Sequence, residues 1–149
     1  MEHPARSQAA SKHQTGGHEV KKKMDSSTGS LFRFQDLEIW KKAIEIGNKL
    51  FDIADDLERK KLFRFAEQVR AAGLSMSNNI SEGSGSFSDR EFARFLNIAR
   101  RSTFENANMV IVFQKRGLID ADERDELLQD LEEECKMISG FIRTLKGYE

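Results

Sequence analysis

The chain has 149 residues, a formal net charge of −1, 33 % charged residues, one proline and one cysteine. That length suits one domain with a proper core, and that composition suits long helices more than sheets. The lone Cys135 excludes an internal disulfide or a cysteine metal cluster. The absence of a long apolar run or an apolar signal-peptide core makes a cytoplasmic location the expected one.

Residues 1–30 hold all three histidines, His3, His13 and His18, and few large apolar side chains. Such a segment cannot bury enough surface to offset its ordering entropy, so a disordered polar tail is expected over 1–30 and a folded domain over 31–149. The irregular histidine spacing disfavours a metal site. Lys21-Lys22-Lys23 either contacts phosphate or keeps the segment soluble.

The first helix is expected from about Gln35 to Leu57. Leu37, Trp40, Ile44, Gly47, Phe51 and Ala54 step by three and four, and Ile39, Ala43, Ile46, Leu50, Ile53 and Leu57 form a second such set. Together they cover roughly 200° of the helix, about twice what one core needs. Ile39, Ile46, Ile53 and Leu57 are placed at the edge of that arc. A charged link, Glu58 to Lys61, leads into a second helix from about Leu62 to Ser81. Its stripe is Phe65, Val69, Ala72, Met76 and Ile80, its middle is crowded with small residues, and Gly83 is expected to end it in the left-handed conformation. The loop Gly83-Ser84-Gly85-Ser86 follows a helix and lacks the lysine of a phosphate loop, so a nucleotide site is rejected.

Ser88 and Glu91 make a capping box that opens a third helix, which Gly117 closes. Phe92, Leu96, Ala99, Thr103, Asn106, Val110 and Phe113 form a coiled-coil-like seam. Met109 to Phe113 is apolar on all sides, which predicts burial all round. Asp120 and Glu123 repeat the capping pattern for a fourth helix, whose expected seam is Leu128, Leu131, Cys135, Ile138, Ile142 and Leu145. Cys135 is read there as a buried, inert thiol. Residues 117–149 carry ten acids against four bases, while residues 31–116 carry fifteen bases against twelve acids.

Four such helices predict an all-α, up-down-up-down antiparallel four-helix bundle. The bundle holds no histidine, so di-iron, Ser-His-Asp and Cys-His chemistries are not expected. The chain reads as a non-enzyme with no cofactor, no metal, no small-molecule substrate and no membrane contact. Three groupings stand out. Gln68, Arg70, Asn79, Glu82, Ser102 and Glu105 are expected as a partly buried polar network that fixes helix register, with a ligand or partner contact as the alternative. Arg90, Arg94, Arg100 and Arg101 form a basic band and a candidate nucleic-acid contact. Ile39, Ile46, Ile53, Leu57, Met109 and Val112 are surplus apolar residues, expected as an interface between copies of the chain.

Three stretches carry a family resemblance. They are Phe34 to Ala43, the run from Gln68 through Arg70, Ser75, Asn79 and Ile80 to Glu82-Gly83, and the run from Ser88 through Glu91-Phe92, Phe95-Leu96, Ile98 to Arg100, and Ser102 to Glu105. Over roughly residues 32 to 146 they resemble the bacterial four helix bundle protein family, first noticed as reading frames in intervening sequences of 23S rRNA genes. The family usually has proline where this chain has Ser77, and glycine where it has Arg101. The resemblance implies a homo-oligomer, with five as the copy number. Through distantly similar accessory variability proteins of diversity-generating retroelements, it also implies contact with RNA or a nucleic-acid enzyme such as a reverse transcriptase.

Overall fold

The computed structural model describes residues 29–148. The expected tail, with its histidines and Lys21 to Lys23, lies almost wholly outside the described residues. Arg33–Asp36 forms a single 3-10 turn. There the Phe32 amide donates to Gln35 Oε1 at 3.0 Å, and Ser30 Oγ donates to Asp36 Oδ1 at 2.9 Å.

Among the described residues from Leu37 onward the chain forms four α-helices: α1 Glu38–Arg59, α2 Phe63–Ser84, α3 Asp89–Lys115 and α4 Ala121–Ile142. Each packs against its neighbours in the order α1, α2, α3, α4, and α4 returns to α1. The backbones of diagonal helices do not come close to one another. This is the up-down-up-down antiparallel bundle that four amphipathic patterns and short links dictate.

At both expected capping boxes the N-cap half forms, while Glu91 turns its carboxylate to Arg94 instead of back to Ser88. Ser88 Oγ accepts from the Glu91 amide at 3.2 Å, and Asp120 Oδ1 accepts from the Glu123 amide at 2.8 Å. Each satisfies one of the first-turn donors, which is worth about 1 kcal/mol. Gly117, at φ +74°, ends α3 as expected, with Leu118 N–H donating to Phe113 O at 2.8 Å. The α1–α2 turn closes with the same hydrogen-bond pattern, Leu62 N–H to Leu57 O at 2.9 Å, but around Lys61 at φ +65°. A side chain in that region carries strain that glycine avoids.

Gly83 does something other than expected. Helix α2 continues through it to Ser84, and no left-handed turn forms there. A Cβ at Gly83 would lie 2.7 Å from Phe95 Cβ and 2.9 Å from Phe92 Cδ1. The residue is glycine because α3 crosses it closely. Gly47 and Gly73 do the same between α1 and α2, where a Cβ on Gly47 would lie 3.2 Å from Gly73 O.

The core is filled by Ile39, Ala43, Ile46, Leu50, Ile53 and Leu57 of α1, with Val69, Met76 and Ile80 of α2, Leu96, Ala99 and Val110 of α3, and Leu127, Leu131 and Ile138 of α4. Full burial of each large aliphatic side chain contributes roughly 1.5–3 kcal/mol. The two apolar sets of α1 therefore exchange roles. The isoleucine-rich set fills the centre. The set with Gly47 and Ala54 is the side on which α2 comes close, and Trp40, Ile44 and Phe51 are half-buried along it. On α3, Ile111 and Val112 are 36 % and 38 % exposed, so the run 109–113 is not buried all round. Two neighbouring helices cover only part of α3, and its outer side stays open.

Candidate functional site

The six residues of the expected polar network do not form one. Gln68, Glu82 and Glu105 are exposed. Arg70 leaves the others and reaches back to α1, donating to Asp55 Oδ1 at 2.8 Å and Glu58 Oε1 at 2.6 Å. Those two hydrogen bonds raise its pKa above the ordinary arginine value. The reason is rotational: on α2, Arg70 lies on the α1 side and Gln68 and Asn79 on the α3 side, about 160–180° away. What does form is a smaller neutral cluster between α2 and α3. The Ser75 and Ser102 hydroxyls are 2.9 Å apart, and Asn79 Nδ2 donates to Ser75 O at 2.8 Å and Ser75 Oγ at 3.1 Å. One turn away, buried Asn106 donates to Ala72 O and Ser102 O, both at 2.9 Å. The sequence placed Asn106 in the apolar seam and gave it no polar role.

Of the basic band, Arg90, Arg94 and Arg101 are exposed, and their positions fall within about 40° of one another on the outward side of α3. Arg100 is turned about 100° away, towards α4, with its guanidinium carbon 5.8 Å from the Phe104 ring centre. Arg94 bonds Glu91 Oε1 at 2.6 Å, which lowers the Glu91 pKa, and lies 4.6 Å over the Phe95 ring. The acids of α4 do not cover these arginines. They pair instead with α1: Lys42 lies 3.2 Å from Asp130 and 3.7 Å from Glu133, and Lys49 lies 2.9 Å from Asp130 and 3.6 Å from Glu126.

The expected interface residues divide. Ile39, Ile46, Ile53 and Leu57 are buried in the core of a single chain and leave nothing for a second copy. Met109 is half-buried and Val112 is exposed, on the α2 flank and outer side of α3. The open apolar surface lies on the other flank. Phe104 is 61 % exposed, Ala107 and Ile111 follow it at helical steps, and Leu128 and Cys135 face them from α4. Between the two helices runs a groove of about 340 Å³, floored by Thr103 and Leu131 and rimmed by Glu132 and Lys136. Cys135 is thus a half-buried groove residue rather than a core thiol.

One group was missed altogether. Glu134 is fully buried, and neither carboxylate oxygen has a hydrogen-bond partner. Burial pushes its pKa up to about 8, against the pull of Lys42 and with the push of Glu133. The signal was present in the spacing: Leu127, Leu131, Glu134 and Ile138 step by four, three and four. The neighbouring stripe through Leu128 and Cys135 has the same three–four steps, so periodicity alone does not single out Glu134.

Among the described residues, no group of three His, Cys, Asp or Glu is placed to hold a metal ion, and no helix is long and apolar enough to cross a membrane. No curated protein matches the chain. A crystal structure of a protein of the S23 ribosomal protein family from Bacteroides thetaiotaomicron has a similar fold, with a TM-score of 0.67 at 22 % identity over 70 % of this chain and 98 % of that chain. The model of the family described as 23S rRNA-intervening sequence protein matches residues 35–140. That span begins before α1, crosses all three turns and ends inside α4, so the chain belongs to the 23S rRNA-intervening sequence protein family.

Proposed function

We propose that this chain is a non-enzymatic interaction protein that works as a homo-oligomer, using the α3–α4 side of its bundle. The observation that carries the reading is the open apolar groove, with Phe104 61 % exposed beside it. Apolar surface of this kind, rimmed by charge, marks interaction sites more often than free surface. A repeated head-to-tail contact would bury it and close into a ring. The copy number five rests on family resemblance alone. Light scattering at micromolar concentration tests the reading: a mass several times 17.1 kDa supports it, and the mass of one chain defeats it. The double variant Phe104→Glu/Ile111→Glu is expected to be a folded monomer.

A second reading, nucleic-acid binding by an accessory protein, is favoured by the shared outward face of Arg90, Arg94 and Arg101. Guanidinium groups recognise phosphate well through their planar fork. With a net charge of −1 the binding is expected to be weak and salt-sensitive. In a salt series with single-stranded RNA, Arg94→Ala/Arg101→Ala is expected to reduce the log–log slope by roughly 1–1.5. Unchanged affinity removes this face from consideration.

A further inference from the structure

We propose that the seam between α1 and α4 is a proton-controlled latch, closed while Glu134 carries its proton and loosened when Glu134 gives it up. Three features of the fold converge on it. First, α1 and α4 are the outer helices of the four in chain order, so no turn joins them, and theirs is the sparsest of the four helix seams. Second, the seam is clasped from outside by charge: Lys42 and Lys49 of α1 both bond Asp130 of α4, whose side chain is only 15 % exposed. Third, beneath this clasp lies Glu134 on the core stripe of α4, fully buried, with both oxygens unpartnered.

A neutral carboxylic acid in such a place leaves polar atoms unsatisfied, but an ionised one cannot stay without water or a cation. The charges that act on it are Lys42 from α1 and Glu133 from α4, while α3 adds none. Lys42 is already shared between Asp130 and Glu133. If it turns inward to meet an ionised Glu134, the clasp loses one of its two cations. If it stays, the buried charge is relieved by α4 moving outward and admitting water. Either route weakens the same seam, and the α1–α2 and α2–α3 contacts need not change. Release of α4 uncovers Leu127, Leu131 and Ile138, so the latch sets how much core surface the bundle exposes.

Helix-resolved amide hydrogen exchange on the full chain between pH 6 and 8.5, corrected for intrinsic exchange rates, tests the latch. The expected result is an opening constant for α4 amides that rises up to about tenfold per pH unit and levels off above pH 8, while α2 and α3 amides do not follow. Glu134→Gln is expected to abolish the rise. Lys42→Met removes the cation that favours the ionised form, so it is expected to extend the rise to higher pH. The carboxyl carbon shift of Glu134 in the wild-type chain gives a reading that needs no variant. A pH-independent α4, a Glu134→Gln chain with the same dependence, an equal response of all four helices, or a Glu134 carboxyl that titrates in the ordinary range would each overturn the proposal.

Discussion

The α2–α3 and α1–α4 seams hold the same bundle together by opposite means. Across α2–α3 the contact is close and neutral: Gly83 lets α3 cross without a Cβ between them, the Ser75 and Ser102 hydroxyls meet at 2.9 Å, and Asn106 reaches Ala72 O. Across α1–α4 the contact is sparse and ionic, with two lysines on one aspartate above an unpartnered glutamate. The difference follows from connectivity. A short turn already keeps α2 and α3 together, so small side chains can specify a close approach with little entropic opposition. No turn tethers α1 to α4, and there ion pairs are added at the edge of the shared apolar core. One seam should therefore respond to side-chain volume and the other to pH.

The largest expected effect is on the ionic seam. Glu134 has a folded pKa of about 8 against an unfolded value near 4.5, so the folded state keeps its proton longer. Its contribution is favourable below pH 4.5, is lost as pH rises, and stops changing past about 8. Urea unfolding at pH 5 and pH 8 is expected to differ by roughly 4 kcal/mol from this group alone, and Glu134→Gln is expected to remove that difference. Next comes the neutral seam. Gly83→Ala pushes a Cβ into Phe95 and Phe92 and is expected to lower stability by about 1–3 kcal/mol at every pH, measured by thermal melting. If its effect varied with pH instead, the division between the seams would fail.

Asp130→Asn should cost less, about 1.5 kcal/mol. Burial raises the Asp130 carboxyl, but its bonds to Lys49 and Lys42 outweigh that and hold its pKa below the ordinary aspartate value. Its contribution is therefore present above pH 3.8 and lost as pH falls through the lowered value, the reverse of Glu134. Acid titration of the wild type and the variant should converge at the bottom of the range. The smallest effect lies outside both seams. Lys61→Gly relieves a left-handed side chain in a turn that Gly117 already makes without one, and a gain of about 0.5 kcal/mol in melting experiments is expected.

Helix existence and the starts of α3 and α4 were legible because they depend on local signals. The Ser88 and Asp120 caps, the Gly117 stop and the three–four stripes each act within a few residues. What depended on the neighbour was not legible. The periodicity of α1 offers two equally good apolar sets, and only the arrival of α2 on Gly47 decides that Ile39, Ile46, Ile53 and Leu57 turn inward. Gly83 looks the same in sequence whether it ends a helix or admits a crossing one. Arg70 and Glu82 sit in one motif, yet α2 turns Arg70 to the acids of α1 and leaves Glu82 in solvent. The arginine face is partly legible: the sequence grouped four cations, and the helix keeps three on one side.

Cys135 is the only thiol in the whole chain, and it lines the α3–α4 groove half-buried. Thiol chemistry therefore gives the groove a built-in reporter that requires no engineered residue. A maleimide or iodoacetamide can attach at one place only, and its rate measures how open that place is. If copies join through the groove as proposed, dilution that separates them would speed the alkylation. A spin label or fluorophore at the same sulfur would record the event from inside the contact.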